Sequence, residues 1–352
     1  MKKNIRHLIQ ISLILVLGQV QAQDPNFSMF YNVPTYYNPA MTAINNGLTV
    51  RSNYRNLWTP IVSKLNTYSA ACEIEAVNKI GFGLLLSSDL AGEGLLRTNK
   101  ATASYMYRPI EGENLLLQFG LSGSYVNKFI DWDRLVFSDQ LDEVHGQVRP
   151  SAFLSPNYNT VSYADFNAGV ALRFNIRPGR TGRIYRKMNG TAGLAFHHLN
   201  EPQDAFLGEG ASLLPIKTVA HSGFNILLQQ SILSTAMIYE HQGRFQTFSA
   251  GFNVAYSTLF GGVWFRKGSS LRKTQFDSVI LTGGANLKLS DKSKMRVSYS
   301  FDLTVSRLHT ASIGSHEVSL IFFFDDKVLF RKYREQKKIK DRYKCPEGFD
   351  GY

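Results

Sequence analysis

The stretch VSYSFDLTVS, from Val297 to Ser306, alternates apolar and polar side chains along its whole length. Its apolar members are Val297, Tyr299, Phe301, Leu303 and Val305. Successive side chains of a β-strand point to opposite faces of a sheet, whereas an α-helix repeats every ~3.6 residues. The pattern therefore predicts a strand with one apolar face and one polar face.

The same alternation occurs in FQTFSAGFNVAY (Phe245 to Tyr256) and in ADFNAGVALRFN (Ala164 to Asn175). In the first of these, Phe252 falls on the apolar face and Asn253 on the polar face. When such runs are bounded by turn residues, about 14 strands follow one another along the chain. They are predicted at 47–57, 65–76, 79–88, 97–108, 114–128, 162–175, 190–199, 216–228, 232–241, 244–256, 258–267, 274–289, 294–305 and 314–324.

Strand length separates two all-β architectures. Strands of a soluble sandwich have ~5–6 residues, whereas a tilted strand that crosses a membrane needs ~9–11. Many of the predicted strands reach the longer value, and their number is even, as in single-chain bacterial outer-membrane barrels. We therefore predict an all-β chain in which residues 47–324 form an outer-membrane antiparallel β-barrel, with a soluble sandwich or propeller as the alternative.

Residues 1–22 have the pattern of an export signal. Lys2, Lys3 and Arg6 precede an apolar core at 9–17, and small residues at Val20 and Ala22 fit a cleavage site before Gln23. Cleavage would remove three of the basic residues behind the formal charge of +12. No later apolar stretch reaches the ~18 residues of a membrane helix.

The C-terminal residues 325–352 form a charged tail beyond the last predicted strand. The connections after odd-numbered strands, such as 129–161, are longer than most of the others, which is typical of outer-membrane barrels with both termini in the periplasm. We therefore expect a periplasmic tail that binds an acidic protein surface, with a functionless extension as the alternative. Export makes nucleic acid an unsuitable partner. The expected partner-binding residues are Arg331, Lys332, Arg334, Lys337, Lys338, Lys340, Arg342 and Lys344.

The residues between the leader and the first strand, 23–46, begin with QDPNFSMFYNVPTYYNPAM. A barrel of ~14 strands lies between small barrels filled by their own side chains and porins with open channels. We therefore predict that this segment folds into or across the periplasmic mouth as a plug, with an extended coil on the barrel exterior as the alternative. Its expected plug residues are Phe27, Phe30, Tyr31, Tyr36 and Tyr37. Candidates for contacting this segment or an internal acid are Arg51, Arg55 and Trp58.

Signatures of catalysis and metal binding are absent from the sequence. The chain has no G-x-S-x-G, H-E-x-x-H or paired-cysteine spacing. His197 and His198 are predicted to point to opposite faces of one strand, and His316 and Glu317 are assigned to a turn. We therefore predict a non-enzymatic protein without a cofactor or metal.

The two cysteines and one of the tryptophans also have an expected state. Unpaired states of Cys72 and Cys345 are favoured over a bridge between them, because two cysteines do not make a disulfide scaffold. Trp132 is predicted to be an interfacial aromatic residue.

Three stretches resemble the PorP/SprF family of Bacteroidota. The opening segment followed by RSNYRNLW (Arg51 to Trp58) is similar to the start of that family. VSYSFDLTVSRLHTASIGSHEVSLIFFF (Val297 to Phe324) resembles its closing strands, and GLSGSYVNKFIDWDRLVF (Gly120 to Phe137) its central region. The tail with KCPEGF is similar to that of SprF-like members linked to gliding and adhesin export.

The resemblance implies an outer-membrane component of the type IX secretion system. Its expected partners are the translocon, periplasmic secretion and motility proteins, and adhesin-like cargo with C-terminal signals, in addition to outer-membrane lipid. The alternative is a passive transporter for small or hydrophobic solutes, which has no need of a charged tail.

Overall fold

The computed structural model describes residues 24–45, 47–57, 65–76, 79–92, 95–112, 114–142, 145–153, 158–176, 187–206, 213–228, 230–268, 276–305 and 314–324. The predicted leader and tail lie outside these ranges, as do Asn46, Trp58 and Cys345. In the described part of the chain, no helix has the length and apolar character needed to cross a membrane.

Fourteen long strands form a closed antiparallel barrel in chain order, and the first strand pairs with the last. The first and last strands pair from Leu48 with Phe324 to Leu57 with Ser315. The predicted all-β barrel is therefore confirmed. The strands are β1 (Leu48–Leu57), β2 (Leu65–Glu75), β3 (Ile80–Ala91), β4 (Leu96–Glu111), β5 (Leu115–Ile130), β6 (Thr160–Ile176), β7 (Lys187–His197), β8 (Lys217–Leu227), β9 (Ser231–Gln242), β10 (Phe245–Tyr256), β11 (Leu259–Gly268), β12 (Ser278–Ser290), β13 (Ser293–Thr304) and β14 (Ser315–Phe324).

The alternation in the sequence corresponds to the two faces of the barrel wall. Phe252 is 44% exposed on the outward face, whereas its neighbour Asn253 is 1% exposed on the inward face. Phe166 and Asp165 on β6 differ in the same way. This is the alternation of lipid-facing and lumen-facing side chains that is typical of the strands of a membrane barrel.

The two ends of the barrel differ in their connections. We call the end at which β1 begins and β14 ends the closing end, and the opposite end the long-loop end. Closing-end turns include 257–258 and 291–292, whereas residues 131–159 join β5 to β6 at the long-loop end. That connection contains 3₁₀ turns at Trp132–Arg134 and Ser138–Gln140 and a hairpin that pairs Leu141–Asp142 with Gly146–Gln147.

Several single-residue predictions receive an outcome from the fold. Trp132 packs against Phe153 and Phe206 among the loops instead of on the outward strand face. Cys72 is a free, exposed cysteine.

The assignment of His316 and Glu317 to a turn was wrong, because β14 already begins at Ser315. The two residues do face opposite sides of the wall. The outward His316 Nδ1 lies 2.7 Å from the Tyr299 hydroxyl, whereas the Glu317 carboxylate is buried in the lumen.

Candidate functional site in the barrel lumen

Residues 24–45, which we call the N-terminal segment, form a chain of short turns inside the barrel. A 3₁₀ turn at Phe30–Asn32, a helical turn at Pro34–Tyr37 and a second 3₁₀ turn at Pro39–Met41 follow one another. Proline suits the first position of such turns, because that position has no internal partner for an N–H. The Asn38 side chain caps the last turn by accepting a hydrogen bond from the Ala40 N–H at 2.9 Å.

The N-terminal segment extends along most of the length of the lumen. Asp24 Oδ2 lies 3.0 Å from His198 Nε2 at the long-loop end. The Arg173 guanidinium, near the closing end, donates to the Ile44 carbonyl at 2.8 Å. The sequence predicted a segment that folds into or across the periplasmic mouth, whereas the described residues 24–45 extend from one end of the lumen toward the other.

The two ends of the described chain lie at different ends of the barrel, although both termini of the mature chain were expected to face the periplasm. Asp24 lies at the long-loop end, whereas Phe324, the last residue of β14, lies at the closing end. The first and last described residues therefore lie at opposite ends of the barrel.

The aromatic residues of the segment pack against one side of the inner wall. Phe30 and Tyr31 contact Trp264, with ring centroids 5.4 and 4.9 Å apart. Phe27 and Tyr37 are also buried in this cluster, and Tyr36 packs on it while its hydroxyl donates to the Pro25 carbonyl. All five aromatic residues singled out in the sequence thus lie inside the barrel. Complete burial of such a side chain stabilises by about 1.5–3 kcal/mol.

Three inward-facing glycines on neighbouring strands make room for the segment. We call Gly120, Gly169 and Gly193 the glycine seat. A Cβ at Gly120 would overlap the backbone of Pro39 and Ala40, and a Cβ at Gly169 or Gly193 would overlap the Asn38 side chain. Gly120 pairs directly with Gly169 across β5 and β6. Strand glycines commonly mark such close approaches of another backbone.

Asn38 is bound to the wall next to the glycine seat. Its amide Nδ2 donates to the Val170 carbonyl at 3.1 Å and lies 3.0 Å from His221 Nε2. Both ends of this buried amide are therefore satisfied, since its oxygen caps the Pro39–Met41 turn.

A buried cluster of charged residues binds the N-terminal segment at Ser28 and Met29. Glu317 accepts hydrogen bonds from the Ser28 and Met29 N–H groups at 2.6 and 3.2 Å. Arg55 and Arg266 donate to Asp302 Oδ2 at 3.0 and 2.8 Å, and Arg55 Nη1 also lies 3.4 Å from Glu317. We call Arg55, Arg266, Asp302 and Glu317 the charge anchor.

Another buried acidic residue, Glu73, binds the later part of the N-terminal segment. Glu73 accepts from the Thr35 hydroxyl at 2.5 Å and from the Ala43 N–H at 3.3 Å. Arg51 bridges Glu73 Oε1 and the Asn32 carbonyl, each at 3.2 Å. Arg55 Nη1 also donates to the Ser28 hydroxyl at 2.5 Å. Arg51 and Arg55 therefore each contact both the N-terminal segment and an internal acid, which confirms the sequence prediction for these two residues.

Two adjacent histidines both face the lumen, contrary to the prediction of opposite faces. The strand ends at His197, whose Nε2 lies 2.9 Å from the Tyr37 carbonyl. His198 has a left-handed backbone with φ of 59°, which turns its side chain inward. Its Nδ1 and Nε2 each lie 3.0 Å from a carboxylate, of Asp165 and Asp24 respectively.

These contacts change the pKa values at the rim of the lumen. Burial by itself would lower the pKa of His198, but the Asp24 and Asp165 carboxylates raise it above its ordinary value. Burial would raise the pKa of Asp24, but the His198 charge holds it well below its ordinary value. Each of the two residues therefore stabilises the charged form of the other.

Above the segment, a cavity of about 670 Å³ lies at the long-loop end of the lumen. Asp24, Pro25, Asn26 and Tyr36 line it from the segment side. Within the described ranges, no group of three or more His, Cys, Asp or Glu residues is placed to hold a metal ion.

Sequence reasoning missed the glycine seat, the charge anchor carboxylates and His198. Gly120, Gly169 and Gly193 were detectable as isolated glycines in alternating strands. The acidic residues on polar strand faces looked like ordinary lumen residues, because nothing local identifies their partners.

Comparison with solved structures finds other outer-membrane barrels with little sequence similarity. The Pseudomonas putida toluene transporter TodX is 10% identical with a TM-score of 0.47, and the match covers 87% of this chain and 100% of that one. The Ralstonia pickettii toluene transporter TbuX is 11% identical with a TM-score of 0.45, and the match covers 83% of this chain and 94% of that one. A comparison with curated proteins finds no match.

A family model gives the clearest result. The model for the type IX secretion system membrane protein PorP/SprF matches residues 19–322. This range contains the N-terminal segment, the glycine seat, the charge anchor and nearly all of the barrel. The chain belongs to the PorP/SprF family of type IX secretion system membrane proteins.

Proposed function

We propose that the protein is a non-enzymatic outer-membrane component of the type IX secretion and gliding machinery. In this role it supports the secretion or surface anchoring of adhesin-like cargo that carries a C-terminal signal. The observation that carries the proposal is the family match over residues 19–322. The SprF-like assignment rests on the tail sequence alone.

The proposed orientation puts the long-loop end at the cell surface and the closing end in the periplasm. Short periplasmic turns and longer external loops support it, because outer-membrane barrels share this arrangement. Cargo would then meet the long loops, and the basic tail after Phe324 would bind periplasmic secretion and motility proteins. In this orientation the start of the N-terminal segment reaches toward the surface.

We further propose that the N-terminal segment closes the lumen as a plug. The five buried aromatic residues, the glycine seat and the charge anchor support this role, because each would be unnecessary in an open pore. A closed lumen favours an accessory role beside the translocon over a conduit for cargo. It also argues against the alternative of a passive solute transporter.

The test is removal of Lys332 to Tyr352 from the chain in its native cells. We expect the barrel to be inserted normally and the cargo to be lost from the surface, because the tail can no longer reach its periplasmic partner. The measurement is surface labelling of the adhesin, with outer-membrane fractionation to show that the truncated barrel is present.

A matched variant keeps the tail length and replaces the eight expected partner-binding residues, from Arg331 to Lys344, by glutamine. Loss of surface cargo in both variants identifies charge as the feature that binds the partner. Normal export with altered solute uptake in a strain lacking the whole protein would contradict the proposed function and favour the transporter.

A further inference from the structure

In the cavity at the long-loop end, the cationic side chains are paired, whereas some of the hydrogen-bond acceptors are not. Its cationic lining residues are already paired with carboxylates: Arg55 and Arg266 with Asp302, Lys100 with Asp165, and Lys128 with Asp204. His198 lies between Asp24 and Asp165. Each of these cationic residues therefore already has a carboxylate partner.

Two carboxylates on the cavity wall have no ion-pair partner among the described residues. Asp89 on β3 accepts only from the Thr67 hydroxyl, at 2.6 Å. The Asp277 side chain, just before β12, accepts from the Gly268 N–H. Carboxylates in a recessed site favour a cationic partner, because the surrounding protein screens charge less than bulk water does.

Two more acceptor groups line the same cavity in buried positions. Asp302 is 2% exposed and Ser278 is 7% exposed. Asp302 Oδ1 and Ser278 Oγ have no hydrogen-bond partner in the described structure, although the other oxygen of Asp302 binds both arginines of the charge anchor. A buried polar atom left without a partner costs free energy, and Asp302 Oδ1 can only accept a hydrogen bond, whereas the Ser278 hydroxyl can accept or donate one.

The cavity-lining groups without a partner are thus oxygen atoms, and the carboxylates of Asp89 and Asp277 are the two without an ion-pair partner. A guanidinium or ammonium group meets this demand, because it is positively charged, offers several N–H donors and accepts nothing. The cavity volume of about 670 Å³ lies within the ~300–1,000 Å³ usual for ligand sites.

We propose that this cavity binds a peptide segment that carries arginine or lysine side chains, with Asp89 and Asp277 as charged acceptors on separate parts of the wall. The occupant belongs to the exported cargo, so the proposal rests on the proposed function and names the chemistry by which cargo is held. The aromatic ring of Tyr36 and the phenol of Tyr163, which also line the cavity, would contact the stem of the bound side chain.

The experiment measures peptide binding to the purified full-length protein in detergent by isothermal titration calorimetry. The probe is an acetylated and amidated pentapeptide with two arginines among glycines, and its control has glutamine in place of each arginine. We expect the arginine peptide to bind and the glutamine peptide not to bind. Asp89→Asn and Asp277→Asn should each weaken binding about tenfold or more, as expected for a charge-assisted hydrogen bond.

Asp291→Asn is the matched control, because Asp291 makes an exposed ion pair with Lys288 at the opposite end of the barrel. Its affinity for the arginine peptide should equal that of the unaltered protein. If one cavity variant fails to fold, the other variant and the two peptides still decide the question.

Equal binding of the arginine and glutamine peptides would overturn the proposal, and so would no binding of either peptide. Unchanged affinity in Asp89→Asn and Asp277→Asn would do the same. These results leave the secretion role intact if deletion of the whole protein still stops surface display, so the two failures are distinguishable.

Discussion

At the residue scale, close contact between the wall and the N-terminal segment depends on the absence of side chains at the glycine seat. Gly120→Ala places a methyl group against the backbone of Pro39 and Ala40, which cannot move aside as a flexible side chain would. We expect a loss of about 1–3 kcal/mol in the free energy of unfolding, the usual cost of overpacking. Urea unfolding in detergent measures it.

Gly123→Ala is the control for this substitution, because it lies on the same strand and faces outward. A Cβ at Gly123 meets only the Phe166 ring, at 3.7 Å. Its unfolding free energy should remain close to that of the unaltered protein. Equal losses in the two variants would show that strand propensity, and not contact with the segment, is responsible.

The second residue-scale prediction concerns pH. The pKa of His198 is raised by Asp24 and Asp165, so its stabilising contribution is full below about 6.5 and is lost as the pH rises through its folded-state value. The pKa of Asp24 is lowered by His198, so its contribution is lost as the pH falls through its folded-state value. The start of the segment is therefore held most firmly at weakly acidic pH.

Hydrogen exchange of residues 24–29 measures this hold. After correction for intrinsic rates, protection should fall as the pH rises from about 6.5, and His198→Gln should lose this pH dependence. The same pH-dependent fall in the variant would rule out His198 as the titrating group.

At the element scale, each strand separates lipid from lumen. Phe252→Arg puts a charge on the lipid side of β10 and should cost about 2–4 kcal/mol if it lies near the midplane. Thr247 on the same strand faces the cavity, so Thr247→Arg should cost much less. Urea unfolding in lipid vesicles compares the two, and equal costs would contradict the register.

The neighbouring Asn253 is a poor control despite its inward face. Its Oδ1 accepts from Thr282 Oγ1 at 2.6 Å and from Trp264 Nε1 at 3.3 Å, and Trp264 packs on the segment. An arginine there has no free volume. The alternation in the sequence puts Asn253 on the polar face but does not reveal that the lumen is filled at this level.

The strands were predictable because burial on one face leaves a period of two in the sequence. Phe252, Phe166 and Tyr299 all lie outward as this pattern predicts. The end of β7 was placed two residues too late, since alternation continues into His198 while its left-handed backbone has already left the strand.

The site was only partly predictable. The composition of residues 23–46 indicated a segment for the lumen, and the positions of Arg51 and Arg55 indicated contacts with it. The partners themselves were hidden, because Arg55 and Glu317 are brought together only when β1 pairs with β14 to close the barrel. Pairings between residues so distant in sequence leave no local pattern.

At the scale of the whole molecule, the N-terminal segment joins nearly all sides of the wall. It binds β14 through Glu317, β2 through Glu73, β6 through Arg173 and β11 through Trp264. A barrel held from inside in this way presents a fixed outer surface and a fixed cavity at the long-loop end.

The most direct test of this account is the conductance of the purified protein in planar lipid bilayers, with and without residues 26–40. The account predicts no channel events for the full-length protein and stable conductance steps for the deletion variant, because the barrel then loses the material that fills it. Steady conductance by the full-length protein, or a deletion variant that is correctly folded yet remains closed, would contradict it.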